Sequence, residues 1–135
     1  MRLPHLAIIA MFAFAATAPV SAEDNILTLK CSLAGKSYFF DKTSKDLSES
    51  KTLSIDMTAG SATDDDKNLY RATISDHLIQ LAMQLVQPGI VLTGVHSIDR
   101  STFSISFSGF ANGEIKGQTI NTFDSATGSC QVLKK

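Results

Sequence analysis

The sequence predicts an all-β protein: a small single antiparallel barrel of about eight strands, with the first and last strands joined by a disulfide. Three observations carry this. Apolar and polar residues alternate with a period of two through most of the chain, the pattern of strands with one buried face. Clusters of Gly, Asn, Asp and Ser interrupt the alternation at short, regular intervals, as the connections of barrels and sandwiches do. The two cysteines, Cys31 and Cys130, fall in the first and last periodic segments. A bond between them sets the terminal strands side by side and protects their edges.

Each element can be read in turn. Leu27, Leu29, Cys31 and Leu33 alternate with Thr28, Lys30 and Ser32 in a first strand. Tyr38-Phe39-Phe40 reads as a short second strand, ended by the polar run Asp41 to Ser50. Leu53, Ile55 and Met57 alternate with Thr52, Ser54 and Asp56, and a loop, Thr58 to Lys67, follows with three successive aspartates. Leu69 to Ser75 is the next strand. Residues 77–86 read two ways. Leu78, Leu81, Ala82 and Leu85 fit a short helix capped by Ser75-Asp76, whereas Ile79, Leu81, Met83 and Leu85 fit a strand. Strand neighbours on both sides favour the strand, with Pro88-Gly89 turning into Ile90-Val91-Leu92. A helix plugging one barrel end is the alternative. Phe103, Ile105 and Phe107 alternate with Ser104, Ser106 and Ser108, the cleanest inside/outside signal in the chain. Asn112-Gly113 predicts a tight turn. Ile115 to Phe123 returns, Asp124 to Gly128 turns again, and Cys130 to Leu133 closes.

The first 22 residues predict export. Met1 and Arg2 form a basic start, Leu6 to Ala18 is an apolar run of 13 residues, and Val20-Ser21-Ala22 offers small residues for cleavage. That is the layout of a secretory signal peptide, and the run is too short to span a bilayer. Residues 1–22 are therefore expected to be removed, leaving 23–135 as one domain in the periplasm or secreted. Glu23, not Cys, follows the cut, so no lipid anchor and no stable membrane anchor are expected. An oxidising compartment favours the Cys31–Cys130 bond. Closing a loop of about a hundred residues contributes up to ~4–5 kcal/mol. With Arg2 gone, 11 basic residues face 13 acidic ones, which argues against nucleic acid and against polybasic membrane binding.

No catalytic, cofactor or metal motif stands out. His77 and His96 lack ligand spacing and read as ordinary strand or turn residues. Asp64-Asp65-Asp66 lacks the alternating acids and central glycine of a calcium loop and reads as a solvated acidic loop. There is no G-x-S-x-G elbow, and Glu49 and Glu114 sit in polar, loop-like context. The expectation is a protein without enzymatic activity, cofactor or metal. Ile98-Asp99-Arg100-Ser101-Thr102 reads as an Asx-turn, with Arg100 placed to pair with Asp76 or Asp99.

The segment Ser108-Gly109-Phe110-Ala111-Asn112-Gly113-Glu114-Ile115-Lys116-Gly117, followed by Cys130-Gln131-Val132-Leu133, resembles the c-type lysozyme inhibitors of Gram-negative bacteria, the membrane-bound inhibitor and its periplasmic relative. The resemblance implies a small antiparallel barrel with a disulfide in its last strand. It also implies a Ser-Gly and a Lys-Gly pair that reach the lysozyme cleft: Ser108 and Gly109, Lys116 and Gly117. A hydroxyl and an ammonium suit two carboxylates in a cleft. The chain departs from the family pattern in having no Trp and a shorter spacing between the pairs. A second reading is a lipocalin-like carrier of a small apolar ligand, with Phe39, Phe40, Phe103, Ile105, Phe107 and Met83 inside, although the lipocalin G-x-W is absent. A third is a structural protein of the cell envelope.

Overall fold

The structure, a computed structural model, describes residues 25–134. The signal segment expected at 1–22 lies outside the described residues. Eight strands follow in chain order: β1 (Ile26–Phe39), β2 (Ser44–Asp56), β3 (Ser61–Asp64), β4 (Leu69–Ile74), β5 (Leu78–Gln87), β6 (Ile90–Asp99), β7 (Ser104–Ile115) and β8 (Gln118–Lys134). Each pairs antiparallel with the next, and β8 pairs with β1 to close the barrel. The disulfide joins Cys31 and Cys130, which face each other directly across the β1–β8 ladder.

Residues 78–86 belong to strand β5, not to a helix, and His77 lies in the bend before it. Ile79 and Leu81 are fully buried and face Ile74 and Ala72 on one side, Ile98 and His96 on the other. A period of two is the only one that puts both inside.

Five expected boundaries are corrected. Tyr38 and Phe39 do not start a second strand; they continue β1. Most of the polar run 41–50 is β2, and part of the loop 58–67 is β3, which turns Ala62 and Asp64 inward. Asn112-Gly113 lies within β7 and Asp124 to Gly128 within β8. The chain instead reverses at Lys116-Gly117, where φ is 52° and 79°. Two successive left-handed residues suit the twist of a two-residue hairpin. Gly113 serves close approach, since a Cβ there would overlap the Gly89 carbonyl of the neighbouring hairpin.

The core fills the lower half of the barrel. Leu29, Leu53, Ile55, Ile79, Leu81 and Ile98 are fully buried, each worth about 1.5–3 kcal/mol against exposure. Ser, Thr, Lys and Gln make up much of the outward face, with Leu69, Val86, Phe110 and Leu133 exposed among them. The strands are unequal in length. β3 has 4 residues and β4 has 6, whereas the other six have 10 to 17. In the upper half the wall therefore lacks two strands. Residues 44–52 of β2 pair only with β1, and residues 83–87 of β5 pair only with β6. The upper barrel is an open-sided trough, and its floor is the candidate site.

Candidate functional site

The floor is built by inward-pointing positions at the top of the apolar core. On β2 the inward row runs Leu47, Glu49, Lys51, Leu53 and Ile55, so charge gives way to hydrocarbon along one face. Leu53 sits opposite Asp64 on β3. Across the barrel, Leu81, His96 and Phe107 align on β5, β6 and β7. These registers bring together Glu49, Lys51, Asp64, Tyr70, His96 and Phe107.

Lys51 Nζ lies 2.6 Å from Glu49 Oε1 and 3.4 Å from His96 Nε2. It also sits 5.9 Å from the centre of the Phe107 ring, within reach of a cation–π contact. An ammonium can only donate, so Nε2 accepts and the ring proton of neutral His96 resides on Nδ1. Nδ1 is buried and has no hydrogen-bond partner among the described residues. The imidazole meets Tyr70 edge-on at 5.5 Å and Phe107 at 4.6 Å between centroids. Burial first, and then the charge of Lys51, push the His96 pKa down to about 4, against a smaller opposing pull from Asp64.

Asp64 is the other anchor. Its Oδ1 accepts from the backbone N–H of Asp66 and of Asn68, each at 2.9 Å. Its Oδ2 accepts from Asn68 Nδ2 at 3.0 Å and from the Tyr70 hydroxyl at 2.7 Å. Burial raises the Asp64 pKa, but the hydrogen bonds from Tyr70 and Asn68, with the Lys51 charge, outweigh it and hold the carboxyl below its usual range. Tyr70 is pushed well above its usual value by burial and by the bond to Asp64. The three aspartates do lie close together, but both oxygens of Asp64 are occupied, and Asp65 and Asp66 are exposed.

Above the cluster, Gly94 and Gly109 face each other on β6 and β7, and the Phe107 ring lies over both. A Cβ on Gly109 would stand 2.6 Å from Phe107 Cζ, and one on Gly94 would stand 3.0 Å from Cε1. A cavity of about 160 Å³ remains, lined among others by Met83, Leu92, Phe107, Ala111, Thr122 and Asp124. Pockets for drug-sized ligands run about 300–1,000 Å³.

The residues singled out from sequence are scattered. Ser108 faces outward from the middle of β7, and Gly109 faces inward beneath Phe107. Lys116 and Gly117 form the exposed β7–β8 turn, with nothing packed where a Gly117 side chain would lie. Ser108 and Lys116 are eight residues apart along an extended chain, roughly 26 Å, so the two pairs do not converge. Glu114 is exposed near the top of β7. His77 is exposed in the turn before β5 and remote in character from the buried His96; its carbonyl accepts from the Arg100 N–H at 2.9 Å. Asp99 does form the Asx-turn, accepting from the N–H groups of Ser101 and Thr102. Arg100 pairs with neither expected acid; its guanidinium donates to the Ser75 carbonyl at 2.6 Å. Of the residues expected inside a ligand cavity, Phe39 and Phe40 are exposed, Ile105 is buried in the core, and Met83, Phe103 and Phe107 pack against it.

Lys51 and Tyr70 were not singled out by the sequence. Their signal was present, since each holds a period-two position in a row that is otherwise largely apolar or small: Lys51 with Leu53 and Ile55, Tyr70 with Ala72 and Ile74. Comparison of the chain with protein families, with curated proteins and with solved structures finds no match in any of the three.

Proposed function

We propose that this is an exported, non-catalytic binding protein that presents the tip of the β7–β8 hairpin, led by Lys116, to an acidic cleft of a partner protein, with c-type lysozyme the first target to test. The observation that carries this reading is the presentation of Lys116. It stands in a left-handed two-residue turn at the top of a ladder running from Ser104↔Ser129 to Ile115↔Gln118. The turn is exposed, and Ile115 beside it is 42% exposed. A tip held by a two-residue turn loses little entropy on docking. An ammonium at its tip forms charge-assisted hydrogen bonds with carboxylates. In this reading the contact rests on Lys116 and Gly117, while Ser108 and Gly109 belong to the barrel wall. A filled lower barrel and, in the trough floor, a cavity about half the smallest volume usual for a ligand pocket give the carrier reading less support.

The test is titration of the purified, oxidised protein into c-type lysozyme, read as residual lytic activity. Stoichiometric inhibition is expected. Lys116→Ala weakens it at least about tenfold, the loss of one good charged contact, while the melting temperature is unchanged. No inhibition at large molar excess removes this target.

A further inference from the structure

The upper half of β2 is an unusual edge. Nine residues, Ser44 to Thr52, have a partner on one side only. A strand that long, with no Pro, offers its free N–H and C=O groups as a template for another strand. We propose that the occupant is a second copy of the same strand, so that the protein self-associates through a two-fold antiparallel β2–β2 pairing centred on Leu47.

The register follows from charge. Pairing β2 with itself about Leu47 sets Lys45 opposite Glu49 twice, Leu47 opposite Leu47, Asp46 opposite Ser48, and Ser44 opposite Ser50. Moving the axis one residue, to Ser48, sets Lys45 against Lys51 and Leu47 against Glu49. Moving it to Glu49 sets Glu49 against itself, and moving it to Asp46 sets Asp46 against itself. Opposite charges facing across strands stabilise a ladder and like charges oppose it. Of these four axes only that at Leu47 sets opposite charges face to face, and it also engages the whole length from Ser44 to Ser50. Lysines commonly guard an exposed edge, but here both are answered by one carboxylate. Glu49 already holds Lys51 of its own chain at 2.6 Å and is only half-buried, open to Lys45 of the second copy. Lys45 is exposed and has no ion-pair partner among the described residues. Asp46 is engaged by Lys36 of its own chain at 2.9 Å and faces only Ser48 across the axis. The half-buried Leu47 gains an apolar partner at the two-fold position. The interface is isologous and closes at two copies.

Sedimentation equilibrium of the purified oxidised protein over micromolar to millimolar concentrations tests this. A monomer–dimer equilibrium is expected. Lys45→Glu, which turns both cross-axis pairs repulsive, raises the dimer dissociation constant about tenfold or more. Ser48→Pro, which removes an N–H from the edge, also raises it. Leu47→Cys chains trap a covalent dimer on oxidation, whereas Val86→Cys chains, altered on β5, do not. A protein that stays monomeric throughout overturns the proposal. So does a dimer that survives Lys45→Glu unchanged, or one that Val86→Cys traps as well as Leu47→Cys. Lys45→Glu changes an exposed side chain and keeps the test valid if Ser48→Pro fails to fold. Binding of added extended peptides by an otherwise monomeric protein would also overturn self-pairing, in favour of a foreign strand at the same edge.

Discussion

His96 should make the barrel acid-labile well above the pH at which its carboxylates titrate. In the fold the imidazole is nearly inaccessible, at 2% exposure, and holds a pKa of about 4, because protonation would bury a second cation 3.4 Å from Lys51. In the unfolded chain it titrates near 6.5. Above pH 6.5 both states are neutral and His96 contributes no pH dependence. As the pH falls from 6.5 towards 4, the unfolded chain takes up a proton that the folded one refuses, so stability drops. Below about 4 the folded state protonates too and the loss is complete. The distance from 6.5 to 4, at ~1.36 kcal/mol per pH unit, amounts to about 3 kcal/mol. That is a large share of the 5–15 kcal/mol typical of a domain. Urea unfolding of the oxidised protein at several pH values from 7.5 to 4 reads it directly. His96→Gln keeps an acceptor for Lys51 and removes the titration, so its stability should fall clearly less than that of the wild type between pH 6.5 and about 5. Asp41, Asp46, Asp64 and Asp99 all have depressed pKa values and add their losses from about pH 5 downward, alike in both proteins, so the His96 contribution is read between pH 6.5 and about 5. Equal slopes for wild type and His96→Gln would refute the reasoning.

Two further perturbations probe the same floor. Tyr70→Phe removes one of four donors from the buried Asp64 carboxylate; it should destabilise by about 1.5–3 kcal/mol at neutral pH and raise the Asp64 pKa, seen as an acid limb that begins at higher pH. Gly109→Ala drives a methyl into the Phe107 ring from 2.6 Å and should cost about 1–3 kcal/mol in denaturant unfolding, whereas Gly109→Ala in a Phe107→Leu background should recover part of the loss.

Much of the barrel was legible along the chain, and the limits of that reading have a common cause. The row Phe103, Ile105, Phe107 and the row Leu27 to Leu33 showed their faces because the residues between them are polar, and water is what they face. β2 was missed above Thr52 because two of its inward positions, Glu49 and Lys51, are charged and answer each other across the face, so the apolar half of the alternation is broken there. Asn112-Gly113 misled because glycine answers two demands that one letter cannot distinguish. It permits a turn, and it permits a neighbouring strand to come close; here the second applied.

The sequence by itself determined what is local or covalent: period-two strands, a Cys31–Cys130 bond between the ends, the Asx-turn at Asp99, and a nearly neutral surface. The tertiary structure alone decided what depends on register. His96 reads as an ordinary strand residue until pairing with Leu81 and Phe107 carries it into the barrel and sets it against Lys51, 45 residues away. Asp64 reads as one of three solvated acids until Tyr70 closes over it. Alternation tells each strand which face is inside. Only closing the barrel fixes which side chains meet there, because that is settled by ladders between segments distant in the chain.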